Sequence, residues 1–268
     1  GWGLPVHPRE ILEGYRRLKA NDPARPVLLN LGQGVAWDGW YGRNVPRERQ
    51  DEFAHRRYVP GCDIISFDIY PAVHDRAEVQ GKLWYVARGV ERLRSWAKPR
   101  QRVWTCIEAA RIDSPTRKPT PAEIRAEVWM AIARGATGII YFVHQFAPRF
   151  IEASLFEDPE LFAAVREINR ELHALAPFLN ARPLPGLKTT PTPEAVPVAA
   201  TLRGHRRERC VIAANLRDET VMVKFKLPRR QGHATVDVAG EGRHLDADDG
   251  AFTDGFAPYA VHVYRFQD

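Results

Sequence analysis

Apolar residues gather in four short blocks along this chain: Pro26–Leu31, Asp63–Tyr70, Arg102–Glu108 and Thr137–Val143, with starts 35 to 39 residues apart. In each block Val, Ile, Leu and aromatic residues stand at positions of both parities. That pattern predicts strands buried on both faces of a parallel sheet. Between the blocks the period changes to that of helices. Thr120 as N-cap, Pro121 at the first position, Glu123 completing a capping box and Gly135 as a stop predict a helix over 121–134 with Ile124, Val128, Ala131 and Ile132 facing the core. Leu83, Val86, Val90, Leu93 and Trp96 predict another over 80–96, Pro8–Lys19 reads as a third, and Asp158 with Pro159 opens a fourth that runs to about Leu175.

A helix followed by four βα units of nearly constant length is the pattern of an α/β fold, a doubly wound sheet or a (β/α)8 barrel. Four units make half a barrel, so a missing N-terminal half is expected to complete it, since an isolated half leaves strand edges exposed. After residue 176 the pattern changes. Residues 177–197 are rich in proline and read as a linker. Beyond them Arg209–Leu216 and Thr220–Leu227 read as a hairpin around 217–219, and Ala234–Val238 and Ala260–Phe266 as further strands. The expected organisation is a half barrel over 1–176, a linker over 177–197 and a small antiparallel β-sandwich over 198–268.

Composition narrows the function classes. With 44% hydrophobic and 27% charged residues the chain can bury a core, and its apolar runs are too short to span a bilayer, so no membrane partner is expected. The net charge of +6 raises the question of nucleic acid. The densest basic cluster, Arg203 to Arg209, is broken by Glu208 and has no aromatic neighbours for base stacking, so it reads as a solvated β-turn and no nucleic-acid partner is expected. Cys62, Cys106 and Cys210 fit neither a zinc pattern nor a disulfide framework, and Cys106 in its apolar run reads as buried filler. No metal or other cofactor is expected. G-x-S-x-G, Walker A and H-E-x-x-H motifs are absent, and Gly32–Gln33–Gly34 starts a dinucleotide fingerprint that Trp37 breaks.

In parallel α/β folds reactive groups gather at the C-terminal ends of the strands. Those ends read Asn30–Leu31–Gly32–Gln33–Gly34, Asp68–Ile69–Tyr70–Pro71, Cys106–Ile107–Glu108–Ala109 and Tyr141–Phe142–Val143–His144–Gln145. Trp37, Trp40 and Tyr41 follow the first of them, close to Asp38. Flat rings near carboxylates and amides suit a sugar, whose C–H faces pack on aromatics while its hydroxyls pair with polar side chains. The tryptophans alternatively close the barrel mouth. Glu108, emerging from an apolar strand, is the candidate catalytic carboxylate; a salt bridge to Arg111 or the first turn of the next helix are its other readings.

These features over residues 1–176 resemble the retaining (β/α)8-barrel glycosidases, the clan of cellulases, β-mannanases and β-galactosidases, which often carry a trailing β-domain. The resemblance implies that the strands are the fifth to eighth of a TIM barrel, that Glu108 is the nucleophile and that Tyr70 orients it. It implies a carbohydrate substrate, β-linked, held by Asn30, Gln33, Trp37, Trp40, Asp68, Tyr141, His144 and Gln145. The Trp usual at the eighth strand is absent. Retaining hydrolysis needs two carboxyl groups about 5–5.5 Å apart, and the resemblance puts the acid/base Glu on the fourth strand, upstream of Gly1. The competing expectations are a carbohydrate-binding or scaffolding barrel without catalysis, and, more remotely, an aldolase or phosphate-binding isomerase, for which the expected lysine or Gly-rich loop is missing.

Overall fold

The computed structural model describes residues 5–228 and 232–267. Helix α1 (Pro8–Asn21) leads into β1 (Leu28–Leu31), followed by β2 (Ile64–Phe67), α2 (Trp84–Trp96), β3 (Arg102–Glu108), α3 (Pro121–Ala133), β4 (Gly138–Phe142) and α4 (Pro159–Ala174). The strands pair in parallel in the order β1-β2-β3-β4, with Leu31 beside Phe67, Ile65 beside Val103 and Glu108 beside Phe142. All four apolar blocks are therefore strands of one parallel sheet.

The capping box of α3 forms as its residues predict, with Thr120 and Glu123 each bonding the other's backbone N–H. Helix α2 starts at Trp84 rather than at 80. Gly81 takes a φ of +73° and its N–H bonds Pro71 O, so the chain turns there before the helix can begin. Along β2 the period of two sends Ile65, Phe67 and Ile69 to the helix-facing side, where all three are buried. Phe67 packs so closely on Gly89 of α2 that a Cβ there would come within 2.2 Å of its ring.

The opposite face of the sheet is open. Leu28 is 42% exposed, and all five residues of β4 are only half-buried. Among the described residues β1 and β4 each pair with one neighbour, so both sheet edges carry unpaired backbone groups.

After the one-turn α5 (Ala176–Leu179) come β5 (Pro183–Leu184), β6 (Lys188–Thr192), β7 (Val198–His205), β8 (Glu208–Asn215), β9 (Val221–Lys226), β10 (His233–Val238), β11 (Arg243–Asp248), β12 (Ala251–Phe256) and β13 (Val261–Gln267). They join in the order β5-β7-β8-β13-β10-β11-β12-β9-β6 as one antiparallel sheet that curls over a core containing Phe225, Phe252, Phe256 and Tyr264.

Two expectations are corrected here. The hairpin around 217–219 does not form: β8 pairs with β7 and β13, whereas β9 pairs with β12 and β6. Asn215, fully buried, directs this crossover by donating to Glu219 O and Ala257 O and accepting from Arg217 N. A hairpin forms instead at β7–β8, and its turn is the basic cluster read from the sequence as a β-turn. The proline-rich stretch is more than a linker, because β5 and β6 lie within it as the two edge strands. Pro191 is tolerated in β6 because that strand has one neighbour only.

Helix α3 is buried on nearly every side, since the sheet lies on one flank and β8 on the other. Ile124 and Val128 are fully buried, each worth roughly 1.5–3 kcal/mol. Cys210, Ile212, Ala214 and Val263 of the β-strands share the barrel's hydrophobic core. Tyr259 OH donates to Gly81 O at 2.8 Å, and Trp129 Nε1 donates to Glu171 at 3.2 Å, closing the same layer.

Candidate functional site

Period two along β1 and β2 brings Asn30, Ser66 and Asp68 to one face of the sheet, where Ser66 is fully buried beneath the other two. They form a chain: Ser66 Oγ donates to Asn30 Oδ1 at 2.7 Å, and Asn30 Nδ2 donates to Asp68 Oδ1 at 2.7 Å. Asn30 is exposed and Asp68 half-buried. Burial raises the Asp68 carboxyl above its ordinary range, and the bond from Asn30 offsets part of that. Cys106 lies beside them with its thiol pushed up to about 12 by burial, a neutral wall rather than a nucleophile. Asp68 thus offers one oxygen fixed by an amide in a surface that solvent reaches.

Glu108, one strand away, has the opposite environment. It is completely buried, its Oε1 accepts from Ala72 N at 2.6 Å and its Oε2 from Val73 N at 2.9 Å. Neither alternative drawn from the sequence, the Arg111 bridge or a helical turn, describes it. The Glu127 carboxyl of α3, also fully buried, lies against it. Burial raises Glu108 to about 7, against the opposing pull of Glu127 and of the two backbone amides. Burial raises Glu127 well above its ordinary value, and the neighbouring Glu108 charge adds to this. Two carboxyls so placed cannot both be ionised cheaply, so Glu127 holds the proton. The peptide of Ala72 is gripped on its other side as well, because Arg117 donates to Ala72 O while pairing with Glu123. In this geometry Glu108 fixes the loop after β2, and an attack on a sugar carbon needs both of its backbone bonds released.

Tyr70 sits at the end of β2, two residues beyond Asp68. Its ring meets Phe142 at 5.1 Å, and the Glu108 oxygens are held by backbone amides rather than by its hydroxyl. Burial first, then the nearby Asp68 carboxyl, hold that hydroxyl firmly protonated.

Gln33 and Trp37 gather on His74. The ring Nδ1 of His74 accepts from Arg76 N, which leaves Nε2 as the donor to Gln33 Oε1 at 2.9 Å, and Trp37 meets the ring edge-on at 5.6 Å. Gly34 is glycine because a Cβ there would come 2.3 Å from Trp40 O, so its place in the incomplete nucleotide motif reflects packing. Trp40 is set on this turn, whereas Asp38 points away to Arg88 and Arg92 of α2. Tyr141 lies on the helix side of the sheet, donating to Asn169 of α4 at 3.1 Å, and is not brought to the open face. His144 packs edge-on against Phe142 at 5.4 Å, and Gln145 lines a cavity of about 190 Å³ with Arg111, Lys118 and Asp158 between the loops after β3 and β4.

Sequence reasoning missed Ser66, Glu127, Arg117, Phe146 and Phe150. Glu127 gave little signal, since α3 also carries Glu123 and Arg125 and a charge at this spacing ordinarily marks a solvent face. Phe142, Phe146 and Phe150 recur every four residues, a spacing that reads as a helix stripe although Phe142 ends β4 and the other two lie in the loop after it. Among the described residues no His, Cys, Asp and Glu cluster could hold a metal ion, and no helix is long and apolar enough to cross a membrane.

No family model and no curated protein matches the sequence. Solved structures do. An α-amylase from Anoxybacillus, described as representing a new glycosyl hydrolase subclass, superposes with a TM-score of 0.54 at 15% identity over 98% of this chain and 56% of its own. A maltogenic α-amylase from Thermotoga neapolitana gives 0.54 at 11% identity over 100% and 60%, and α-galactosidase I from Mortierella vinacea gives 0.52 at 12% over 99% and 65%. The fold is a TIM-barrel part with a C-terminal β-domain. The chain spans between 56% and 65% of the length of these three structures.

Proposed function

We propose that this chain carries the sugar-facing strand ends of a glycoside hydrolase, with Asp68 as the carboxyl that meets the substrate. The observation that carries this reading is the Ser66–Asn30–Asp68 chain on the open face, at the strand ends where TIM-barrel chemistry gathers. The names of the similar structures, α-amylases and an α-galactosidase, support a glycoside as substrate. A carboxyl raised by burial suits proton transfer to or from a glycosidic oxygen, and Asn30 fixes its rotamer. Hydrolysis requires a second carboxyl on the other side of the scissile bond. Gln33, His74 and Trp37 offer hydroxyl partners and a ring face at the rim of the site. Glu108 supports the site from behind by holding the Ala72–Val73 backbone, and through it Tyr70 and His74. The competing reading, drawn from the sequence, makes Glu108 the nucleophile with retention at a β-linked sugar, and it requires both backbone bonds of Glu108 to be released.

The test is hydrolysis of a panel of α- and β-linked nitrophenyl glycosides by the intact protein and two variants. Asp68→Asn is expected to lower the rate by roughly 10²- to 10⁴-fold with an unchanged melting temperature. Near-full activity in that variant removes Asp68 from the reaction. Loss of activity in Glu108→Gln with unchanged stability assigns the nucleophile to Glu108. Sugar binding without hydrolysis in the unaltered protein assigns it to the non-catalytic barrels.

A further inference from the structure

We infer that Tyr259, in the turn between β12 and β13, is a positioning residue for the loop after β2, so that the β-domain sets the geometry of the candidate site from outside the barrel; this rests on the glycosidase reading above. The loop, residues 71–83, carries Ala72, Val73 and His74 past the strand ends before α2 begins. Gly81 closes it. With a φ of +73° its N–H turns inward to Pro71 O at 2.8 Å, and its carbonyl turns outward to accept from Tyr259 OH at 2.8 Å. The other end is held from within the barrel, by Glu108 on the N–H groups of Ala72 and Val73 and by Arg117 on Ala72 O. Between these two grips stands His74, whose Nε2 meets Gln33 Oε1 at 2.9 Å and whose ring meets Trp37 edge-on. The loop is thus pinned at both ends, and the outer pin belongs to the β-domain.

The turn that carries Tyr259 is built for this reach. Tyr259 takes a φ of +53°, a left-handed backbone that is costly for a bulky residue and that glycine or asparagine adopts more easily. A strained tyrosine at such a place points to a task for its side chain. Its surroundings hold the conformation: Tyr259 N donates to Arg217 O at 2.9 Å, Ala260 N to Ala257 O at 3.0 Å, and the fully buried Asn215 to Ala257 O at 3.0 Å. Arg217, tied to Tyr259 by the first of these bonds, lays its guanidinium over the Trp84 ring at 4.8 Å, where α2 opens. Two neighbouring side chains of the β-domain therefore grip residues 81 and 84, on either side of the buried Leu83. Docking of the two domains does not depend on this grip, because Ile212, Ala214 and Val263 already share the barrel's core. Apolar burial of that kind is non-directional. A hydrogen bond is directional, and what Tyr259 adds is a fixed place for one peptide of the loop.

Steady-state hydrolysis of the best nitrophenyl glycoside by the intact protein and its Tyr259→Phe variant tests the inference, because Phe keeps the ring and removes the bond. KM is expected to rise roughly three- to tenfold, the worth of one neutral hydrogen bond, with kcat within about twofold, because the loop carries His74 and not Asp68. In a His74→Ala background the same change is expected to leave KM as it is, since the effect travels through that side chain. Amide exchange at Ala72, Val73 and Gly81 is expected to quicken in Tyr259→Phe while that of β10 to β12 stays constant. Where the unaltered protein binds a sugar without hydrolysing it, the dissociation constant takes the place of KM. An unchanged KM in Tyr259→Phe overturns the inference and leaves the glycosidase reading standing, and a lowered melting temperature beside it makes Tyr259 a docking contact. Unchanged exchange at the three loop amides overturns it as well. An equal rise in KM with and without His74 places the effect outside the loop and also overturns it. Absence of both hydrolysis and sugar binding in the unaltered protein overturns the inference together with the reading it rests on.

Discussion

Asp68 and Glu108 end adjacent strands of one sheet, yet they occupy regions with opposite physics. Asp68 lies on the open face, half-buried, with one amide partner and access to solvent. Glu108 lies in the packed layer, fully buried, with two backbone amides and a second carboxyl around it. A strand end by itself does not confer a catalytic role. What distinguishes the two is whether the carboxylate's hydrogen-bonding capacity is spent on the fold or left for a ligand. The open-face carboxylate is cheap to remove and is expected to cost activity. The packed one is expensive to remove and is expected to cost stability.

The largest stability effect should therefore come from Glu108→Ala. It strands the N–H groups of Ala72 and Val73 beside a fully buried position, at about 1–3 kcal/mol for each unsatisfied group. Removing a charge whose burial is itself unfavourable offsets part of that, so a net loss of roughly 2–4 kcal/mol is expected from urea midpoints at constant m-value. A loss below about 0.5 kcal/mol, the range of ordinary surface changes, breaks the comparison, because Glu108 is then no anchor. Asp68→Asn in the same titration is expected to stay within that surface range.

These two residues also show how much was legible in the sequence. The alternation and spacing of apolar blocks specify the parallel sheet, its strand ends and the carboxylates found there, because those depend on local periodicity. Which carboxylate is buried and which is left accessible was not legible. That depends on the loop after β2 folding back onto β3, and on α3 placing Glu127 behind Glu108, both of which join residues distant in the chain. The β-domain shows the same limit. Thr220–Leu227 has an unmistakable strand pattern, but nothing local says that Asn215 sends it to the far side of the sheet. Strands β11 and β12 escaped notice because Arg243–Asp248 is charged at several positions and Ala251–Phe256 carries Asp254, whose place in the interior is held by Arg243 and by Tyr264 OH at 2.8 Å.

The next smaller effect sharpens the packed side of the comparison. Burial raises the carboxyls of both Glu108 and Glu127 in the folded chain, so the folded state binds more protons than the unfolded one at neutral pH. Their contribution is then most favourable below the unfolded value near 4.5 and declines as pH rises through about 7. Stability is expected to fall between pH 5 and 8 by up to about 1.4 kcal/mol per pH unit for each of the two carboxyls. Glu127→Gln removes the titrating proton beside Glu108, so it should flatten that slope and be more stable than the unaltered protein at pH 8. Equal slopes for the two proteins mean that the pair does not share a proton.

The smallest effect belongs to a third carboxylate, Asp38, which the sequence places among the tryptophans of the expected cleft. The structure turns it outward: it is 65% exposed and accepts from Arg88 and Arg92 of α2. The Arg92 bond leads the causes that hold its carboxyl below the usual range, but an exposed pair of this kind is screened by water and contributes about 1 kcal/mol or less. Asp38→Asn is expected to cost about 0.5 kcal/mol in low salt and nothing measurable in 1 M salt, where the screening length is about 3 Å. Hydrolysis should be unchanged, in contrast with Asp68→Asn. The pair of variants isolates orientation as the variable: both are aspartates on the strand-end side of the sheet, and both lie near aromatic rings. A loss of activity in Asp38→Asn comparable to that in Asp68→Asn shows that the reaction draws on the outer rim held by α2, and the distinction between open face and packed layer then has to be redrawn around that rim.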